Sequence, residues 1–163
     1  MEPGPVPMPA RILIVEDETF VAFEMAETLS DYGYDCVGVA DDTASAMRLG
    51  NRTVDVALVD VNLCDGATGP QIGALLAAKG VRVIFVTANP RQLGNGVPGT
   101  LGVISKPVDF KLIGEALGFV LADRSGAARN PAPPPGLELF ASYSIASQTL
   151  ILSQRNCISK RNP

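Results

Sequence analysis

The 163-residue chain contains no histidine. That absence removes a histidine general base, a catalytic triad of the usual kind and any His-ligated zinc site. Cysteine is scarce as well: Cys36, Cys64 and Cys157 do not make a disulfide framework, and no two are close enough to form a metal knuckle. Charge is thin, at 18% of residues against roughly 25% in ordinary soluble domains. Thirteen basic residues stand against seventeen acidic ones, a net charge of -4. Binding a phosphate backbone needs a basic stripe or patch, so nucleic acid is not an expected partner. Arg155, Lys160 and Arg161 form only a short, isolated basic cluster. No apolar run approaches the roughly 18 residues of a membrane span, so no membrane partner is expected. The N-terminal MEPGPVPMPA has neither the basic region nor the apolar stretch of a signal peptide. A cytoplasmic, reducing setting follows, with chemistry left to carboxylates, hydroxyls, lysine and a bound metal.

What is abundant is apolar: 47% of residues, enough to build a sizeable core. The apolar residues fall into an alternation. RILIV at 11–15, DCVGVA at 35–40, VDVALV at 54–59, RVIFV at 82–86 and residues 102–105 have the length and content of buried strands. Between them, helices are predicted over 19–32 (stripe Val21, Met25, Leu29, Tyr32), 43–49 and 71–78. A last helix follows a capping Asp109, with Leu112, Ile113, Ala116, Leu117, Val120 and Leu121 as its core stripe. Between 91 and 100, Gly94, Gly96, Pro98 and Gly99 leave room for no more than a turn of helix. Strands alternating with crossovers specify an α/β fold: a doubly wound, five-stranded parallel sheet. The domain is expected over 10–123, after a disordered, Pro-rich arm at 1–9. Residues 124–163, opening on SGAARNPAPPPG, are expected to be a Pro-rich linker and a tail with no output domain.

In such sheets ligands bind beyond the carboxyl ends of the strands, so the residues just after each strand carry the function. Glu16, Asp17 and Glu18 follow the first strand, Asp60 the third, Thr87 the fourth, and Ser105 and Lys106 the fifth. Carboxylates converging at one edge repel one another, and a divalent cation with oxygen ligands relieves that repulsion. Mg²⁺ suits, because it takes one or two carboxylates together with waters and phosphate oxygens. A carboxylate can attack phosphorus to give an acyl phosphate, while a lysine ammonium and a hydroxyl offset charge on the phosphoryl oxygens.

Four segments in this order, ILIVEDE at 12–18, ALVDVN at 57–62, VIFVTA at 83–88 and ISKP at 104–107, resemble the receiver domain of two-component response regulators. The similarity covers roughly residues 10 to 122. It implies a flavodoxin-like strand order of 2-1-3-4-5 and a phosphoacceptor role for Asp60. It further implies Mg²⁺ held directly by Asp17 and Asp60, with Glu16 acting through water and the main-chain carbonyl of Asn62 as another ligand. Thr87 becomes the switch hydroxyl, Lys106 the partner of the phosphoryl group, and Lys106–Pro107 a cis bond. The implied partners are a histidine kinase or histidine phosphotransfer protein and a downstream protein, in a phosphorelay switch rather than an enzyme. The Phe85-x-Thr87 pattern is similar to an alphaproteobacterial single-domain subgroup and to the receivers of general-stress anti-sigma regulators. Two departures stand out: Val103 takes the place of the usual aromatic switch residue three positions before the lysine, and NLCDGATG lacks the Pro that often follows the phosphoacceptor.

Two other functions use the same residues. A Mg²⁺-dependent phosphatase of the haloacid dehalogenase type also has an Asp nucleophile after a strand, but it carries a second Asp where this chain has Asn62. A binding module that never uses phosphate would keep the fold, yet would not need Glu16, Asp17, Asp60, Thr87 and Lys106 together.

Overall fold

Near-continuous aliphatic strands require cover on both faces, and the computed structural model, which describes residues 7–122 and 132–143, provides it. In chain order the elements are β1 (Arg11–Val15), α1 (Thr19–Asp31), β2 (Asp35–Ala40), α2 (Thr43–Leu49), β3 (Val56–Val59), α3 (Gly69–Ala78) and β4 (Arg82–Thr87). A 3-10 turn at Pro90–Leu93, β5 (Gly102–Ser105), α4 (Phe110–Ala122) and β6 (Leu137–Leu139) complete it. The sheet runs β2-β1-β3-β4-β5-β6, with the first five strands parallel. The period-2 geometry of a strand splits the core into two layers. Ile12, Ile14, Leu58, Ile84 and Ile104 pack with Met25 and Leu29 of α1 and with Ile113 and Leu117 of α4. Leu13, Val15, Val59, Val83, Phe85 and Val103 pack on the other side with Leu49 of α2 and Ile72 and Leu76 of α3.

The doubly wound order 2-1-3-4-5 is present, and one correction applies to it. The sheet has six strands rather than five, because Leu137–Leu139 adds antiparallel to β5. Three residues are too few to show a period, so this strand was not legible between its glycine and proline neighbours. β3 begins at Val56, two residues later than expected, and α3 begins at Gly69, two residues earlier. The slot between β4 and β5 holds the single 3-10 turn that its glycine and proline content predicts. In α1, Met25 and Leu29 are buried as expected. Tyr32 instead lies half exposed, stacked on Tyr34 and resting over Gly114 of α4. Asp109 Oδ1 accepts from the Lys111 N–H at 3.0 Å, a cap at the start of α4. Arg155, Cys157, Lys160, Arg161 and most of the expected arm, linker and tail lie outside the described residues.

Candidate functional site

The polar residues after β1, β3, β4 and β5 meet at one edge because the ladder continues past the strands. Asp60 N–H donates to the Val15 carbonyl (2.8 Å) and Lys106 N–H to the Thr87 carbonyl (2.9 Å). The order reverses at β1, which has β2 on one side and β3 on the other. Asp17, Glu18, Asp60, Asn62, Leu63, Thr87, Ala88, Asn89 and Lys106 line a cleft of about 240 Å³ there. Of the residues picked out from the strand ends, Asp17, Glu18, Asp60, Thr87 and Lys106 line this one cleft, and Glu16 reaches it through Lys106. The Lys106–Pro107 bond is cis.

Lys106 is the hub. Its Nζ lies 2.8 Å from Asp60 Oδ2, 2.8 Å from Glu16 Oε2 and 2.9 Å from Glu18 Oε1. Burial alone would lower its pKa, but the bonds to Asp60, Glu16 and Glu18 outweigh that and hold the ammonium above the usual lysine range. Glu16 moves the other way from an ordinary ion pair. It is 2% exposed, and burial pushes its carboxyl up, against the pull of Lys106 and of the Glu18 N–H bonded to Oε1 at 3.0 Å. Glu16 Oε2, buried and 2.8 Å from Nζ, has that ammonium as its partner. Glu18, passed over as a single site residue in the sequence, is the third carboxylate on Lys106. The acidic run that contains it was its only signal.

A divalent cation fits this donor set. Carboxylate oxygens of Glu16, Asp17 and Asp60 lie within 4.8 Å of one another. Four carboxylates, counting Glu18, face a single ammonium, and a hard cation with oxygen ligands balances that excess. Thr87 is fully buried, and its Oγ1 accepts from the Asn89 N–H at 3.2 Å. Asp60 Oδ1 accepts from the Val61 N–H at 2.6 Å, which leaves Oδ2 turned to Lys106.

Two supports of Asp60 were not evident in the sequence. The first is Gly69, at the start of α3, whose N–H donates to the Val61 carbonyl at 3.0 Å. A Cβ there would stand 1.9 Å from the Asp60 carbonyl oxygen and 2.6 Å from Val61 Cα. Backbone, not a flexible side chain, would have to give way. Gly69→Ala is expected to cost on the order of 1–3 kcal/mol and to shift the Asp60 and Val61 amide resonances in a ¹⁵N–¹H spectrum. Wild-type stability with unmoved resonances would remove Gly69 from the support of the site.

The second support is Asp65, which ties the loop after β3 to the start of α2. Its Oδ2 accepts from Thr43 N–H (2.9 Å) and Thr43 Oγ1 (2.6 Å), and Oδ1 from Thr68 Oγ1 (2.7 Å). The side-chain bonds from Thr43 and Thr68 hold its carboxyl down at about 2. A depressed folded-state pKa means that these bonds stabilise the fold above the ordinary aspartate range and are lost as pH falls through about 2. Carbon-detected NMR should accordingly give Asp65 a titration midpoint near 2, and Thr43→Ala should raise it. Beside it, Cys64 is exposed. Desolvation and the carboxylates of Asp41, Asp42, Asp65 and Asp17 push its thiol pKa up, away from nucleophilic thiolate.

The sequence matches the response regulator receiver domain over residues 12–117. The chain belongs to the response regulator receiver family. It is 30% identical over 131 residues to the phyllosphere-induced regulator PhyR of Methylorubrum extorquens, a match covering 76% of this chain and 49% of that protein. The crystal structure of the response regulator PhyR from Brucella abortus superposes with a TM-score of 0.60 at 28% identity, covering 74% of this chain and 53% of that one. A CheY-like receiver domain protein from Methanospirillum hungatei, at 24% identity and a TM-score of 0.63, shares the fold over 72% of this chain and 98% of its own. This receiver chain spans about half the length of the PhyR proteins it matches. The likeness to receivers of general-stress regulators read from Phe85-x-Thr87 agrees with these PhyR relatives. Among the described residues no helix is long and apolar enough to cross a membrane.

Proposed function

We propose that this receiver is a phosphorylation-dependent switch, with Asp60 as the phosphoacceptor. The observation that carries the reading is Asp60 Oδ2 at 2.8 Å from Lys106 Nζ, in a cleft that also holds Asp17, Glu18 and Thr87. The donor is a phosphohistidine on a cytoplasmic histidine kinase or phosphotransfer protein. Asp60 Oδ2 attacks phosphorus, the P–N bond to the histidine breaks with its electron pair on nitrogen, and an acyl phosphate remains on Asp60. Lys106 releases Asp60 Oδ2 and pairs with a phosphoryl oxygen, and the Thr87 hydroxyl turns to another. Asp17, Asp60 and the Asn62 carbonyl would hold Mg²⁺, with Glu16 reaching it through water. Bound there, Mg²⁺ supplies positive charge against the phosphoryl oxygens. The output is contact with a downstream protein, and the arrangement is a switch rather than a turnover catalyst. Asn62 lines the cleft, but its amide is too weak an acid to protonate a leaving group, which disfavours a phosphatase of the Asp-x-Asp type.

The test is to locate the label. Acetyl phosphate with Mg²⁺ should add one phosphoryl group per chain. Borohydride trapping followed by peptide mass analysis should map it to Asp60. Label on another residue, or none with Mg²⁺ present, would overturn the assignment.

A further inference from the structure

β6 is held on the edge of β5 by features of both partners. Gly102 of β5 lets the strands close up: a Cβ there would meet the Glu138 carbonyl oxygen at 2.3 Å. The pairing sets Gly102 against Leu139, Val103 against Glu138 and Ile104 against Leu137. It continues with Phe140 N–H donating to the Leu101 carbonyl at 2.9 Å. Side chains straddle the edge. Leu137 and Leu139 join the layer of α1 and α4, whereas Phe140 joins the layer of Val103 and Phe85. The Phe140 ring is 8% exposed and lies 6.3 Å from that of Phe85 at a 51° tilt. Gly96, with φ +108, makes room for it, since a Cβ there would fall 2.6 Å from the ring.

The loop that receives Phe140 begins at the candidate site. Thr87 ends β4, and its Oγ1 accepts from the Asn89 N–H. The 3-10 turn and Gly96 follow directly. Phe85 and Val103 pair across β4 and β5, one step along the same face from Thr87 and Ser105. Beside the segment, Pro90, Arg91, Gly94 and Asn95 of that loop face Val103 and residues 138–141 across a cleft of about 450 Å³. The loop is therefore fastened at one end to the switch hydroxyl and closes at the other over a ring from the chain's C-terminal segment.

We propose that the β5 edge is a strand-binding site whose ligand is this chain's own segment 137–140, a Leu-x-Leu-Phe strand, and that loading of Asp60 releases it. This rests on the phosphoacceptor reading above and adds its readout. A Thr87 hydroxyl turned toward a phosphoryl oxygen gives up the Asn89 N–H. The loop is then free to move off Phe140, and the ladder loses the ring that anchors it. Release uncovers a β5 edge that another strand can pair with. Coupling between two sites is reciprocal, so the docked strand must in turn weaken loading of Asp60 by the same factor.

Beryllofluoride with Mg²⁺ is the probe, applied to the full chain, with loading followed by ¹⁹F NMR. On loading, the Phe140 amide should exchange with solvent on the order of ten-fold faster, while amides of β1 keep their protection. Loading with unchanged or slower Phe140 exchange overturns this inference alone. No loading at all overturns the phosphoacceptor reading and this one with it. Phe140→Ala and Glu138→Pro, which weaken docking by different means, should each bind beryllofluoride more tightly by a factor similar to the exchange effect. Wild-type affinity in both variants overturns the coupling.

Discussion

Asp60→Asn is expected to abolish labelling by acetyl phosphate and to leave the fold nearly as stable as before. The two effects separate because the site holds more carboxylates than cations. An amide is not a nucleophile toward phosphorus, so no acyl phosphate forms. The substituted amide still offers an oxygen to the Val61 N–H, the bond that Asp60 Oδ1 makes at 2.6 Å. Lys106 loses one ion pair but keeps Glu16 and Glu18, and Glu16 loses a neighbouring like charge that raises its pKa. The net change should stay at about 1.5 kcal/mol, the low end for a hydrogen bond to a charged group. The checks are labelling with Mg²⁺ and urea unfolding of both proteins. Labelling at the wild-type level would sink the phosphoacceptor role. Lost labelling with collapsed stability would mean that the site is organised around Asp60 rather than around Lys106.

The parts that sequence could show were those with repeated chemistry. Five aliphatic runs, each several residues long, announced five strands. The residues just beyond them, Glu16, Asp17, Asp60, Thr87 and Lys106, were legible because a parallel sheet brings strand ends together. Three features were not legible, each for a physical reason. β6 is a strand because Gly102 and Gly96 admit it, and its own three residues carry no period. Gly69 reads as one more glycine in a loop, since its requirement is set by a carbonyl oxygen nine positions away. Glu18 looked like part of a solvated turn and is 62% exposed at its side chain, yet it reaches Lys106, 88 positions later. Val103 is the instructive case. Its small side chain in place of an aromatic is visible in the sequence. The Phe140 ring that packs in its layer is visible only once the chain's later segment has been laid on the sheet.

Lys106→Ala should be the most destabilising change at the site. Lys106 and Glu16 have side chains 11% and 1% exposed, and that of Asp60 is 8% exposed. Removing the ammonium leaves two buried carboxylates facing each other with no cation, a situation that costs on the order of 3–5 kcal/mol. Glu18, largely in solvent, adds little. The direction with pH follows from Glu16. Burial raises its pKa, and the largest opposing pull comes from Lys106. Without Lys106 its folded-state pKa rises further, so the protonated form is favoured in the fold and stability is lost as pH climbs through that value. The deficit against the wild type should thus be larger at pH 8 than at pH 5. Mg²⁺ should restore part of it, because Glu16, Asp17 and Asp60 would then have a cation again. Chemical unfolding at the two pH values, with and without Mg²⁺, measures all of this. A deficit independent of both pH and Mg²⁺ would show that Lys106 contributes through the packing of its alkyl chain, and the site would lose its claim to be an electrostatic unit.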